Sequence, residues 1–187
     1  MQKIIGRSVS LRQIEESDFP TLYVWRNSNS YRKYCSTRRD KISYDEYREE
    51  MRRDLAKDRH LQCVILHGSK VIGTIFSYGM NRTDGYTFIT TYIEDAYDKK
   101  GYGAEAFALF SLHLFRSSDL YKIYTEAYSY NAHSIKCIQR AGLREEGRFV
   151  GHRTYDGRRY DLIRFALFID QLPSLEKFVG RLTRVRV

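Results

Sequence analysis

The segment Lys99-Lys100-Gly101-Tyr102-Gly103-Ala104 constrains the fold of this 187-residue chain more than any other. A β-branched and aromatic run at residues 87–93 precedes it, and apolar residues at helical spacing follow it over residues 104–115. A strand, a glycine-containing loop and a helix N-terminus form an anion cradle, because glycines let backbone N–H groups approach phosphate oxygens and the helix dipole is positive there. A plain strand-to-helix turn is the alternative, since tight turns also require glycine.

Composition limits the classes of protein to which the chain can belong. With 42% hydrophobic and 14% aromatic residues it can bury a substantial core. Its length fits one domain, residues 1–187, with a core at about 7–169 and a helical tail at 173–187. No apolar run approaches the roughly 18 residues of a membrane-spanning helix, and the N-terminus turns polar too soon for a secretory signal. We therefore expect a cytoplasmic protein without a membrane partner.

The numbers and spacing of the cysteines and histidines, and the net charge, limit which metals and partners the protein can bind. Three widely spaced cysteines and five unclustered histidines predict neither a disulfide framework nor a metal site. A net charge of +9 favours anionic partners such as phosphorylated small molecules, acidic proteins or nucleic acids, unless it only keeps the protein in solution. Because no nucleic-acid-binding motif or aromatic platform accompanies the charge, we predict that nucleic acid is not a partner.

The order of predicted elements indicates a mixed α/β fold. A strand at residues 8–14 is followed by helices at 17–25 and 43–57, strands at 61–66, 71–78 and 87–93, and a helix at 104–115. A strand at 123–128, a helix at 132–141, strands at 149–154 and 160–168 and a helix after Pro173 complete the chain. Consecutive hairpins predict antiparallel pairing, and the passage through residues 104–115 predicts one parallel step. We expect a mostly antiparallel sheet of six to seven strands with helices on both faces.

Further motifs make the chain similar to a known superfamily. The loop Asp98-Lys99-Lys100-Gly101-Tyr102-Gly103, then Asn131, Ser134 and Gly142-Leu143, resemble the acetyl-CoA loop and later signature of the GNAT superfamily of CoA-dependent N-acyltransferases. Val9-x-Leu11-Arg12, Trp25-Arg26-Asn27 and Gly147-x-x-x-x-x-Arg153-x-x-x-Gly157-x-x-x-Asp161 resemble its branch of ribosomal-protein N-terminal and amino-sugar acetyltransferases. The resemblance extends to about Phe168.

The resemblance implies a sheet that splays between its fourth and fifth strands, with acetyl-CoA held in the gap. It implies donor contacts from a set of loop and strand residues, namely Tyr92, Ile93, Lys99, Lys100, Gly101, Tyr102, Gly103, Ala104, Asn131 and Ser134. Transfer is expected to be direct, without an acyl-enzyme. Cys137 is therefore expected to pack within its apolar helix rather than act as a nucleophile.

Three positions depart from the family pattern. Asp98 stands where the family prefers arginine, glutamine or tryptophan, and we expect its carboxylate to turn away from the pyrophosphate while the lysines compensate. Phe88 replaces a glutamate often invoked as the base, and Ile138 replaces a tyrosine that protonates the thiolate in some branches. These departures keep open a further class of function, a catalytically weak acyl-CoA-binding sensor or partner protein.

Amide formation from a thioester needs a neutral amine and a proton for the departing thiolate. Since Ile138 cannot supply that proton, Ser134 is the candidate donor, unless it only bonds the backbone in its helical turn. Glu126 is the candidate base, with Glu94 and His152 as other candidates and an ion pair with a surface lysine as the structural alternative for Glu126. Asn131 is expected to contact the pantetheine or to cap its helix, and both roles can coexist.

The acceptor is expected to enter from the opposite side, past Trp25, Arg26, Asn27 and Tyr31. Aromatic faces stack on sugars and guanidinium groups grip phosphates, although Trp25 can equally belong to the core and Arg26 be merely solvated. We predict transfer of an acetyl group to a primary amine of a small molecule, phosphorylated or nucleotide-linked as in an amino sugar. The alternative enzyme is a protein N-terminal acetyltransferase. The sequence leaves monomer and homodimer open.

Overall fold

In the computed structural model, an eight-stranded sheet carries helices on both faces. The structure describes residues 2–38, 40–57 and 60–183. The strands are β1 Ile4–Ile5, β2 Ser10–Gln13, β3 Gln62–His67, β4 Lys70–Asn81, β5 Tyr86–Ile93, β6 Lys122–Tyr128, β7 Arg144–Tyr155 and β8 Arg158–Phe168. The α-helices are α1 Phe19–Arg26, α2 Asn29–Tyr34, α3 Tyr44–Leu55, α4 Tyr102–Ser117, α5 Ala132–Arg140 and α6 Leu172–Thr183. In this part of the chain, no helix has the length and apolar character needed to cross a membrane.

The strands lie in the order β1-β2-β3-β4-β5-β6-β8-β7. Neighbours pair antiparallel, except β5 and β6, which are parallel because the crossover through α4 joins them. The predicted mixed, mostly antiparallel sheet is confirmed. The strand count is eight rather than six or seven, because Ile4 and Ile5 pair with Leu11 and Ser10 as an additional edge strand.

The sheet splays between β5 and β6. These strands pair only where Tyr86, Thr87 and Phe88 lie opposite residues 122–124. Beyond Phe88, β5 continues to Ile93 and β6 continues to Tyr128 without further pairing between them. The gap is the one that the family resemblance implies between the fourth and fifth strands, and β1 makes these the fifth and sixth strands of this chain.

Two hydrophobic clusters lie on opposite faces of the sheet. Along β3, Cys63 and Ile65 belong to the cluster under α4, whereas Val64 and Leu66 belong to the cluster under α1 and α3. Successive strand residues point to opposite faces, so a continuous apolar run in β3 serves both clusters. The α5 and α6 helices also pack on the α4 side. One side of the gap therefore faces α1 to α3, and we call it the acceptor side because the acceptor is expected there; the other side faces α4 and α5.

Serine side chains cap the starts of α3 and α2. The Ser43 hydroxyl accepts a hydrogen bond from the Glu46 N–H at 3.2 Å, and Ser43 and Glu46 have the spacing of a capping box. The six-residue helix α2 was not predicted, because it has no apolar periodicity. Its one local signal is Ser28, whose hydroxyl accepts a hydrogen bond from the Tyr31 N–H at 3.1 Å.

The β7 strand begins at Arg144, before the predicted start at residue 149, because two irregularities interrupt its alternation. At the second of these, between Phe149 and Arg153, the Asp161 carboxylate accepts hydrogen bonds from the Gly151 N–H at 3.0 Å and from Arg148 at 3.2 Å. These bonds, the backbone one first, lower the pKa of Asp161. The Asp161 carboxylate thus stabilises the bulge through backbone and side-chain donors.

Replacement of Phe110 tests the packing of α4 on the sheet. The Phe110 side chain is fully buried, so Phe110→Ala is expected to lower the free energy of unfolding by about 3–5 kcal/mol in denaturant titrations. Phe178→Ala is the control, because Phe178 on α6 is 45% exposed and its loss should cost about 1 kcal/mol or less. Equal losses in the two variants would contradict the assignment of Phe110 to the core.

Candidate active site

The loop between β5 and α4 turns the chain sharply before the helix starts. Lys99 and Gly101 have left-handed backbone conformations, with φ of 60° and 84°. Gly101 is the N-cap of α4 and supplies no side-chain oxygen to the first-turn N–H groups. These N–H groups are thus available to hydrogen-bond a ligand at the positive end of the helix dipole. The predicted loop residues Tyr102, Gly103 and Ala104 form this first turn.

Charged side chains flank the loop. The Asp98 carboxylate accepts a hydrogen bond from the Lys99 N–H at 2.8 Å, so it stabilises the turn itself. The ammonium groups of Lys100 and Lys70 lie 5.3 and 5.0 Å from the centre of the Tyr97 ring. Positive charge therefore accumulates at the rim of the loop, to which the β3–β4 hairpin contributes Lys70.

The backbone of β5 directs donors into the gap. The Glu94 N–H bonds to the Ile72 carbonyl at 2.9 Å across the β4–β5 pair. Since bonded and non-bonded pairs alternate in an antiparallel ladder, the backbone groups of Thr91 and Ile93 point away from β4. Tyr92, by contrast, pairs with Thr74 on β4, and its side chain is buried under α1. Of the two predicted donor-binding residues on this strand, Ile93 presents its backbone to the gap and Tyr92 does not.

Thr91 adds a side-chain hydroxyl on the α4 side of the gap. Its Oγ1 atom is buried and has no hydrogen-bond partner among the residues that the structure describes. A Cβ built on Gly103 would lie 3.4 Å from Cγ1 of Ile93 and 4.0 Å from Cγ2 of Thr91, so the loop packs directly on this part of β5. An unpartnered buried hydroxyl calls for a partner, which a ligand in the gap would supply. The sequence alone missed Thr91, because threonine is ordinary in a strand.

Two of the predicted residues open α5. The Asn131 side-chain oxygen accepts a hydrogen bond from the Ser134 N–H at 3.3 Å and so caps the helix. Ser134 is half-buried, and within the described chain its hydroxyl has no hydrogen-bond partner. The structure therefore places a capped helix start beside the open end of β6, with a serine hydroxyl in its first turn.

The prediction that Cys137 packs within its helix is wrong. Cys137 is exposed, and its Sγ lies 3.7 Å from Nε2 of His133. Ile135 and Ile138 are the α5 side chains that pack against the core. Because residues four apart share one helix face, Cys137 lies with His133 on the face turned away from that core.

Glu126 forms an ion pair at the acceptor side of the gap. It lies opposite Arg164 on β8, whose Nε and Nη2 both donate to Oε1 at 2.8 and 2.7 Å. The partner is thus a half-buried arginine on the adjacent strand rather than a surface lysine. The Arg164 guanidinium also lies 4.9 Å from the centre of the Phe88 ring, on which Tyr78 stacks at 5.3 Å. The two other candidate bases lie apart from this group, Glu94 after the end of β5 and His152 exposed on β7.

Tyr78 stands next to this ion pair. Burial and then the negative charge of Glu126 raise the pKa of Tyr78 to about 12, so its hydroxyl stays protonated at neutral pH. The phenol is therefore a hydrogen-bond donor close to the carboxylate. The sequence did not single out Tyr78, because one tyrosine among 16 carries no local signal.

A buried guanidinium fixes the end of α2 beside the gap. Arg153 donates to the carbonyl oxygens of Ser36 at 2.7 Å and Arg32 at 2.9 Å, and its Cζ lies 4.4 Å from the centre of the Tyr128 ring. The Tyr130 hydroxyl donates to the Lys33 carbonyl at 2.6 Å. Strands β6 and β7 thus hold α2 in place as one wall of the acceptor side.

Three of the four predicted acceptor residues line a cavity of about 170 Å³ between α1, α3 and β4, namely Trp25, Arg26 and Tyr31. Trp25 is 5% exposed and packs against Tyr92 at 5.7 Å between ring centres, and Tyr31 packs on the same ring at 5.1 Å. Arg26 lines the cavity with both of these aromatic residues. Asn27 instead bonds the backbone of Ile42 through both side-chain ends, at 3.0 and 3.1 Å.

Residues 8–144 match the family model described as an acetyltransferase (GNAT) domain. The chain belongs to the GNAT acetyltransferase family. It is therefore a CoA-dependent N-acetyltransferase, as the motifs predict. No curated protein matches this GNAT chain in sequence.

Solved structures share the fold of this GNAT protein. RimL, a ribosomal L7/L12 alpha-N-protein acetyltransferase in complex with coenzyme A, has a TM-score of 0.81 and 16% identity over 90% of this chain and 99% of its own. A spermidine N-acetyltransferase from Vibrio cholerae, in complex with CoA and spermine, has a TM-score of 0.81 and 20% identity over 89% of this chain and 98% of its own. An acetyltransferase from Salmonella typhimurium that modifies the N-terminal serine of L7/L12 has a TM-score of 0.78 and 16% identity over 90% of this chain and 100% of its own. At these identities the likeness shows the fold.

Among the described residues of this GNAT protein, no three histidine, cysteine, aspartate or glutamate side chains are grouped as metal ligands.

Substitution of Gly103 tests whether CoA binds at the loop before α4. Gly103→Trp would place an indole between the loop and β5, so CoA binding is expected to weaken at least about a hundredfold, or about 3 kcal/mol, in calorimetric titrations. Gly103→Ala is the matched control, because its Cβ meets only ordinary contact distances. Unchanged CoA affinity in a folded Gly103→Trp variant would show that the donor lies elsewhere.

Proposed function

We propose that this GNAT protein transfers an acetyl group from acetyl-CoA to a primary amine of a small molecule, such as a nucleotide-linked amino sugar, by direct attack in a ternary complex. The observation that carries the proposal is the gap between β5 and β6. On one face it adjoins the anion cradle before α4, and on the other it adjoins the Glu126–Arg164 pair and the cavity lined by Arg26. Donor and acceptor can thus approach one point from opposite faces.

The donor side fits acetyl-CoA. The first-turn N–H groups of α4 and the ammonium groups of Lys99 and Lys100 would hold the pyrophosphate. The backbone N–H groups of Thr91 and Ile93 face the gap, where one of them would bind the thioester carbonyl and stabilise the negative charge that develops on its oxygen. Bound acetyl-CoA supplies the activated acyl group, and the chain supplies the donors that orient it.

The acceptor side offers a route for the proton of the amine. An alkyl ammonium must lose a proton before it can attack a carbonyl carbon. Both hydrogen bonds from Arg164 fall on Oε1 of Glu126, so Oε2 can accept a hydrogen bond from the ammonium or from an intervening water. The Tyr78 hydroxyl, which stays protonated at neutral pH, would donate to the same water. Glu126 is therefore proposed as the proton acceptor, with Arg164 and Tyr78 as positioning residues.

Ser134 is proposed as the proton donor for the departing thiolate. The Ser134 N–H donates to the Asn131 side-chain oxygen, which fixes the first turn of α5 and leaves the hydroxyl available to the thiolate. Ile138, one turn further along α5, packs against the core and has no proton to give. Asn131 is placed to contact the pantetheine through its amide nitrogen while its oxygen caps the helix.

One observation favours a protein acceptor as the second candidate. Phe149 and Val150 on the edge strand β7 are 43% and 83% exposed, and the Phe149 ring lies 5.1 Å from the Arg164 guanidinium. Exposed apolar side chains beside the site suit a peptide better than a sugar. The recessed cavity lined by Arg26 favours the small molecule, because a peptide N-terminus does not need an enclosed side pocket.

Release of free thiol from acetyl-CoA in the presence of an amine panel tests the activity. The panel includes a nucleotide-linked amino sugar, the parent amino sugar, spermidine and an acidic N-terminal peptide. Turnover that is fastest with the amino sugars supports the proposal, and turnover with the peptide alone supports the protein acceptor. Tight CoA binding without thiol release from any amine would leave an acyl-CoA-binding sensor as the function.

Removal of the Ser134 hydroxyl tests the proton donor. Ser134→Ala is expected to lower kcat by roughly 100-fold with little change in the KM for acetyl-CoA, because general acid catalysis acts on the chemical step. Ser174→Ala on α6 is the control, since Ser174 is exposed and far along the chain from the gap. A kcat equal to that of the unmodified protein would remove Ser134 from the mechanism.

A further inference from the structure

The cavity between α1, α3 and β4 contains both signs of charge. Glu50 and Asp54 of α3 reach it from one side, and Arg26 reaches it from the end of α1. Aromatic side chains, including Tyr31 and Tyr47, form part of the remaining wall. The kind of ligand that the cavity can bind depends on which of these charged groups lack a partner within the protein.

The two carboxylates have partners within the protein. The Glu50 carboxylate accepts a hydrogen bond at 2.8 Å from Arg38, which Glu46 shares at 3.0 Å, and the Asp54 carboxylate accepts one from Lys57. The guanidinium of Arg26 differs, because its buried Nη1 atom has no hydrogen-bond partner within the described chain. Among these charged groups, the Arg26 guanidinium is thus the one with an unpartnered buried donor, and its natural partner is an anion.

Two hydroxyl groups supplement the guanidinium. The Cζ atom of Arg26 lies 6.0 Å from the centre of the Tyr31 ring. Tyr31 and Tyr47 line the same cavity as Arg26. Burial raises the pKa of both phenols, so each keeps its proton at neutral pH and can donate to an anion in the cavity.

The cavity lies close to the reacting point. Its floor includes Phe76 and Tyr78 of β4, and Tyr78 also stacks on Phe88 at the start of the gap. Since β4 and β5 are neighbours, the cavity floor and the gap are separated by about one strand spacing, roughly 5 Å. Tyr78 therefore borders both the cavity and the start of the gap.

We propose that Arg26, with the hydroxyls of Tyr31 and Tyr47, binds an anionic group of the acceptor, a phosphate or a carboxylate, while the acceptor amine lies in the gap. The acceptor is then an anionic amine rather than a neutral or polycationic one. The proposal rests on the proposed acetyl transfer to a small amine and names the class of that amine. Arg26 would then select acceptors that carry a negative charge.

Matched acceptors test this specificity. Glucosamine 6-phosphate is compared with glucosamine, and alanine with alaninol, by steady-state thiol release. The anionic member of at least one pair is expected to have a kcat/KM at least about tenfold higher, mainly through KM, since hydrogen bonds to charged groups have that magnitude. The phosphate pair and the carboxylate pair distinguish the two sources of the anion.

Arg26→Gln is expected to remove the preference, so that the two members of the favoured pair differ by less than about threefold. Arg26→Lys, which keeps the charge, should retain part of it and guards against a glutamine variant that does not fold. Arg116→Gln is the matched control, because Arg116 is exposed on α4, on the other face of the sheet, and pairs with Glu176. It should keep the full preference.

A binding assay separates this proposal from the activity itself. With saturating CoA filling the loop before α4, inorganic phosphate is expected to raise the Tm of the unmodified protein and of Arg116→Gln, but not that of Arg26→Gln. This result without turnover of any amine would retain the anion site and reject acetyl transfer. Turnover without preference within either pair, or equal stabilisation of Arg26→Gln by phosphate, would overturn the anion site. A preference for spermidine that Glu50→Gln abolishes would overturn it in favour of the carboxylates.

Discussion

The parallel pairing of β5 with β6 stops after Phe88, and the rest of the site depends on that interruption. In a complete sheet the backbone groups of Thr91 and Ile93 would bond to β6. Here they face a gap, where backbone groups are without strand partners. We propose that the thioester supplies an acceptor for them. The splayed sheet would then bind its substrate with the same backbone groups that elsewhere join strands.

A gap of this kind would tend to close unless both of its rims were held. On one rim α4 packs against β5, with Phe110 in the core and Gly103 close to Ile93. On the other rim Arg153 and Tyr130 hold the carbonyl end of α2 against β6 and β7. The buried guanidinium of Arg153 thus joins β7 to the chain at and after the end of α2. We propose that rigid rims keep the donor and the acceptor aligned for transfer.

The sequence predicted the elements that carry strong local signals. The glycines of the loop at 99–104, the cap at Ser43 and the apolar period of α4 each act within a few residues, and each lies where it was expected. The pair Glu126–Arg164, the orphan hydroxyl of Thr91 and the short helix α2 depend on contacts between distant segments. Such contacts have no period, so sequence patterns could not reveal them. The prediction for Cys137 failed for a different reason: the apolar pattern of α5 did not show that Cys137 lies on the exposed face of the helix.

The bulges of β7 have a consequence beyond the local hydrogen bonds of Asp161. The sheet ends on one side in β1, which has two residues, and on the other in β7, which has twelve. A long regular edge strand would offer its unpaired N–H and carbonyl groups as a template for another chain. The irregularities at 145–147 and 149–153 break that template into short pieces. The strand that borders the acceptor side is thereby a poor seed for edge-to-edge aggregation, although Phe149 and Val150 are exposed along it.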